Sequence, residues 1–103
     1  MLHGLIGLGL VGLAASSQNH RRAAIDLVDI LQGQVAAIDA MVRRRDCQEA
    51  YIFLRQALVT KGRLRIHRDH AGGIPTGHGQ AMNGVLHDLS VVTDDFGRHC
   101  LGR

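Results

Sequence analysis

Cys47 sits in the stretch Asp46-Cys47-Gln48-Glu49, directly after Arg43, Arg44 and Arg45. A thiol in the first turn of a helix meets the positive end of the backbone dipole. The three arginines add positive charge, and both effects favour the thiolate, the form that ligates metals and attacks electrophiles. Asp46 opposes them. Two readings of Cys47 follow: a reactive thiolate, or a small residue packed against a neighbouring helix. His67 and His70 are three apart and so neighbours on a helix surface, and His78 follows beyond a glycine pair. Imidazoles with one thiolate suit copper, nickel, cobalt or zinc, so Cys47, His67, His70 and His78 are the candidate metal ligands. The plainer reading of His67-Arg68-Asp69-His70 is a solvated helix C-terminus, where cations meet the negative end of the dipole.

Lys61, Arg63, Arg65 and Arg68 form the densest basic group, with Arg21 and Arg22 a second. They are the candidates for phosphate contacts with nucleic acid. No aromatic residues are interleaved for base stacking, so a solvated helix face is the competing reading. The chain has no Ser/His/Asp spacing, no phosphate loop and no carboxylate pair on a shared core face. Gly4 to Gly9 fits no dinucleotide fingerprint, because no strand precedes it. No enzymatic activity and no small-molecule substrate are expected.

The elements that position these residues are helices. The 103 residues make one domain whose core must be aliphatic, since aromatics supply 3% and Trp is absent. A single proline, Pro75, leaves long segments free to be helical. From Asn19 to Arg45, Ala24, Val28, Leu31, Val35, Ile38 and Val42 recur in steps of four and three, widened by Ile25, Leu27 and Met41. Asn19 is the expected N-cap, and Gly33 within the stripe suggests a close helix contact. Asp46 with Glu49 reads as a capping box opening a second helix at Cys47. Its core face is Ala50, Tyr51, Leu54, Ala57, Leu58 and Leu64, and it stops at Gly72-Gly73. The turn between these helices is so short that they must form an antiparallel hairpin. A short third helix is expected from about Gly79 to Thr93, with the tail from 96 to 103 loose. That tail holds Cys100 beside His99. The two cysteines are read as neither a disulfide framework nor a CxxC metal site.

The fold class expected is all-α, an antiparallel helical hairpin plus a short third helix. Because that third helix is too short to cover the hairpin, a dimer forming a four-helix bundle is the economical solution. The apolar, glycine-broken run of residues 1–18 reads as a separate arm. It is shorter than the roughly 20 residues of a membrane-spanning helix, and it has the apolar centre and small-residue exit (Ala14 to Ser17) of an export signal without a basic start. It could instead dock on a membrane or partner. The net charge of +3 is compatible with nucleic acid without requiring it.

From Leu27 to Leu89 the chain resembles the metal- and formaldehyde-responsive repressors of the CsoR/RcnR/FrmR family. The resemblance is carried by Gly33-Gln34-Val35, Met41, Cys47, Gln56, Val59, Leu64, a histidine near the second helix's end, and GHGQA at Gly77 to Ala81. It implies an all-helical, cytoplasmic, DNA-binding dimer or tetramer that releases DNA when metal or formaldehyde reaches the cysteine. It further implies Cys47 as ligand or nucleophile, with His70, or else His67, supplied by another subunit. Cys47 and His70 lie about 35 Å apart along one helix, at about 1.5 Å per residue, so only an antiparallel pairing of subunits brings them together. The chain departs from the family where basic residues precede Gly-Gln, having Leu27, Asp29 and Ile30 there. It also has Ile74 where a further ligand would stand. Without cleavage of residues 1–17 a cytoplasmic location is expected. With it, the alternative is an exported helical hairpin that buffers metal through His67, His70 and His78.

Overall fold

A computed structural model describes the backbone of residues 2–103 and the side chains of residues 16–103. The chain is all-α, with α1 at Leu2–Arg43, α2 at Cys47–Ala71 and α3 at Thr76–Cys100, and among the described residues there is no strand. Helix α1 is the spine. At 1.5 Å per residue its 42 residues span about 63 Å, in keeping with the 64 Å long axis of the molecule. Helices α2 and α3 pack against its C-terminal half, α2 as the antiparallel hairpin partner. Among the described residues no helix is long and apolar enough to cross a membrane.

The hairpin turn is tight. Arg45 takes a left-handed backbone, φ 62°, where a side chain other than glycine is disfavoured. Three backbone bonds hold it: Arg44 N–H to Ala40 O, Arg45 N–H to Val42 O and Asp46 N–H to Met41 O. Asp46 precedes the first turn of α2, but its side chain makes no capping bond, so the expected capping box is not formed. The end of α2 follows expectation, with Gly72 at φ 70° in the left-handed region that closes a helix.

The core is one aliphatic cluster. Leu31, Ile38, Leu64 and Leu89 are its largest fully enclosed side chains. The heptad stripe of α1 is buried as its spacing predicts, with Val35 partly exposed. On α2, Ala50, Leu54, Ala57 and Leu64 are buried, whereas Tyr51 and Leu58 are about half exposed. Thr60, buried on the same face, satisfies its hydroxyl by donating to Gln56 O at 3.1 Å.

Four further expectations change. Residues 2–18 are continuous with α1 rather than a separate arm, so Asn19 lies inside a helix and caps nothing. Leucine and alanine in that run are good helix formers and no proline interrupts it. Gly33 is exposed, and a Cβ built on it meets nothing within 4 Å, so it marks no close helix contact. Helix α3 is as long as α2 and takes in most of the expected loose tail. The reason is Phe96, which extends the series Met82, Val85, Leu89, Val92 by one more helical step, is buried, and stacks on Tyr51 with ring centroids 6.4 Å apart. A third helix of this length also removes the argument that a dimer is needed to cover an incomplete hairpin.

The fourth change is chemical. Cys47 and Cys100 form a disulfide with their Cα atoms 5.6 Å apart, tying the start of α2 to the end of α3. Neither cysteine is free. Residues 53 apart in sequence become neighbours because α3 runs back alongside the hairpin to the turn end of the bundle. In the chain-entropy picture, closing a loop of that size stabilises a fold by about 4 kcal/mol.

Candidate functional site

The opposite end of the bundle gathers histidines. His67 and His70 occupy the last turns of α2, and His20 on α1 faces them. His20 Nδ1 and His67 Nδ1 are 2.8 Å apart, a hydrogen bond in which one imidazole donates and the other accepts. The accepting ring therefore carries no proton at that nitrogen. The His20 ring centroid lies 5.1 Å from that of His67 and 5.0 Å from that of His70. His70 Nδ1 donates to Ile66 O at 2.8 Å, which leaves Nε2 as its lone-pair nitrogen when the ring is neutral. Histidine ligands in metal sites are oriented by that kind of bond to a backbone carbonyl. Arg21, next to His20, donates from Nε to Gly73 O at 3.2 Å and closes the end of the hairpin.

Of the four metal-ligand candidates, the structure brings together His67 and His70, and adds His20. His78 is exposed and lines a different cavity, between α1 and α3, with Ala24, Val28, Ile74 and Met82. Cys47 is at the far end of α2, about 30 Å from His67 along the helix, and in its bridged form offers no thiolate to a metal or an electrophile. Among the described residues, no three His, Cys, Asp or Glu side chains converge on a metal-sized point. The cluster is thus a coupled imidazole pair with a third ring beside it. A shared ion would have to break the His20–His67 hydrogen bond.

The basic candidates do not form one surface. At about 100° per residue, Lys61, Arg65 and Arg68 share one side of α2, while Arg63 lies on its outer face. Arg68 pairs with Asp69 at 3.3 Å, Arg21 is engaged with Gly73, and Arg22 is exposed.

Two participants escaped the sequence reading. His20 was traceable: it lies four, seven and eleven residues before Ala24, Leu27 and Leu31, so extending the stripe backward places it on the buried side of α1. Cys100 was not, because its pairing depends on where α3 ends in space. What fold and site define is an all-helical, disulfide-bridged three-helix domain with a histidine cluster at one end. Compared with known proteins, the chain matches no protein family, no curated protein and no solved structure.

Proposed function

We propose that this chain is an exported helical protein that binds a transition metal ion through His67 and His70, joined by His20. The observation that carries the reading is the Cys47–Cys100 disulfide. Such bridges persist in oxidising compartments and are rare where thiols are kept reduced. The apolar run ending in Ala14 to Ser17 supplies the export signal in this reading. Neutral imidazoles favour zinc, copper, nickel or cobalt, and an ion would replace the proton between His20 and His67 by spreading their Nδ1 atoms from 2.8 Å to the roughly 3.3 Å of two tetrahedral ligands. His78 is left outside the site.

The effector-responsive, DNA-binding reading is the alternative. What favours it is Cys47 at the first position of α2 and His70 in its last turn, the two ends that antiparallel pairing of two copies brings together. It requires Cys47 as a free thiol in a cytoplasmic homodimer or tetramer, with Arg21, Arg22, Lys61, Arg63 and Arg65 available to DNA. Homo-oligomerisation belongs to either reading, since Ile52, Val59 and Ile66 lie exposed along α2.

Intact mass and thiol alkylation of the protein from each cell fraction separate the two. A chain that resists alkylation and begins near Gln18 in the exported fraction, and whose zinc or nickel affinity falls at least tenfold in His67→Ala, supports export and metal binding. A full-length cytoplasmic chain with two reactive thiols overturns that reading and makes DNA binding the next measurement.

A further inference from the structure

The outer face of α2 is apolar and has no partner within the chain. Ile52, Val59 and Ile66 recur every seven residues and are 48%, 64% and 57% exposed, which draws one stripe about 21 Å long at 1.5 Å per residue. Arg55 and Arg63 lie about 40° to either side of Val59 around the helix, and both are exposed. As a whole α2 is basic, with Arg55, Lys61, Arg63, Arg65 and Arg68 against Glu49 and Asp69. Helix α3 has the reverse balance, with Asp88, Asp94 and Asp95 against Arg98.

Between α1 and α3 runs a groove whose floor is Val35, Ala36, Val85, Val91 and Val92. Val91 is 44% exposed. Asp39 edges the groove on α1, and Asp88 and Asp95 edge it on α3. Asp39 and Asp95 are held locally by Arg43 and Arg98, whereas Asp88 forms no ion pair among the described residues. The two surfaces therefore match in form and in sign: an apolar ridge flanked by arginines, and an apolar furrow bounded by aspartates.

We propose that the α2 ridge of one copy seats in the α1/α3 groove of a second copy, Ile52 and Val59 entering the valine floor and Arg55 and Arg63 meeting the two acidic rims. This rests on the homo-oligomer reading above, and it differs from a symmetric bundle in which α2 meets α2. Antiparallel α2 helices centred on Val59 would bring Arg55 and Arg63 of both copies to the flanks of one seam, and like charges gathered across an interface suppress pairing. The acidic groove removes that repulsion. Because the two surfaces are different patches of the chain, a contact used once per copy is head-to-tail and generates a ring or an open array, whereas two reciprocal ridge-in-groove contacts close a two-fold dimer.

Sedimentation velocity on the full chain over a range of concentrations tests this. The wild type is expected to associate with rising concentration, less so at high salt, because rim charges are screened. Val59→Glu, Arg55→Glu with Arg63→Glu, and Asp88→Arg should each weaken association about tenfold or more, with helicity by circular dichroism unchanged. The decisive step is mixing. The Arg55→Glu/Arg63→Glu chain and the Asp88→Arg chain, each weak alone, should associate together, since each supplies the surface the other needs. Association unaffected by Asp88→Arg but lost in Val59→Glu indicates α2-to-α2 pairing and overturns the ridge-in-groove contact alone. A wild type that stays monomeric at all concentrations overturns both the contact and the homo-oligomer reading. A monomer that is retained on anionic vesicles through Val59 does so too, and assigns the ridge to a membrane surface.

Discussion

His20 and His67 show how much one pair of atoms can constrain. Two Nδ1 atoms at 2.8 Å cannot both carry protons in the bond, so the accepting lone pair is taken up by its neighbour and a metal ion must displace that hydrogen bond to reach it. If this is the metal pair, His20→Ala and His67→Ala should each lower zinc or nickel affinity at least tenfold, while His78→Ala leaves it unchanged. Calorimetric titration of the three variants reads this directly, and equal losses from His78 and His67 would remove the cluster as the site. Cys100 makes a residue-scale statement about stability. Cys100→Ser opens a loop of 53 residues' separation and is expected to cost about 4 kcal/mol by the chain-entropy account. Urea unfolding of the oxidised wild type and the variant gives the difference. A change below about 1 kcal/mol would mean that packing around Phe96 alone holds the end of α3.

At the scale of elements, the helices carry glycines that their surroundings do not need. Gly33, Gly62 and Gly84 lie inside α1, α2 and α3, and a Cβ on any of them meets nothing within 4 Å. Their φ angles are not positive. Each change to alanine should therefore stabilise the fold by about 0.5–1 kcal/mol, the helix-propensity difference, as a rise in the denaturation midpoint. A loss on Gly33→Ala would point to an intermolecular contact at that exposed position. The opposite sign is expected at Leu31, which is fully buried. Leu31→Ala removes atoms from the centre of the cluster and should cost about 2–5 kcal/mol. Gly72 belongs to neither group, because its positive φ ends α2 and an alanine there is strained whatever the space.

For the molecule as a whole, the bundle is fastened at both ends by different chemistry: a covalent bridge at the hairpin turn, and the histidines with the Arg21–Gly73 bond at the other end. Reduction should therefore loosen one end selectively. Hydrogen exchange under a dithiol is expected to speed up in the last turns of α3 while Leu31 and Leu64 stay protected. Uniform acceleration would mean that the bridge supports the entire fold. How much of this was legible from the sequence differs by feature. The helical class, the antiparallel hairpin, the start of α2 at Cys47 and its stop at Gly72 are local properties: apolar residues three and four apart, a short connection, a glycine with positive φ. The stripe Ala24 to Val42 is buried as read because a helix presents those positions to one side whatever packs there. The length of α3 departs from the reading because Phe96, the tail's one buried large apolar residue, is the next step of the stripe. The Cys47–Cys100 bridge and the meeting of His20 with His67 and His70 are of another kind. They join residues 47 to 53 apart, and no local pattern sets such distances. Only the antiparallel return of α2 and the full run of α3 bring those side chains within reach, so packing, not periodicity, decided what the cysteines and histidines can do.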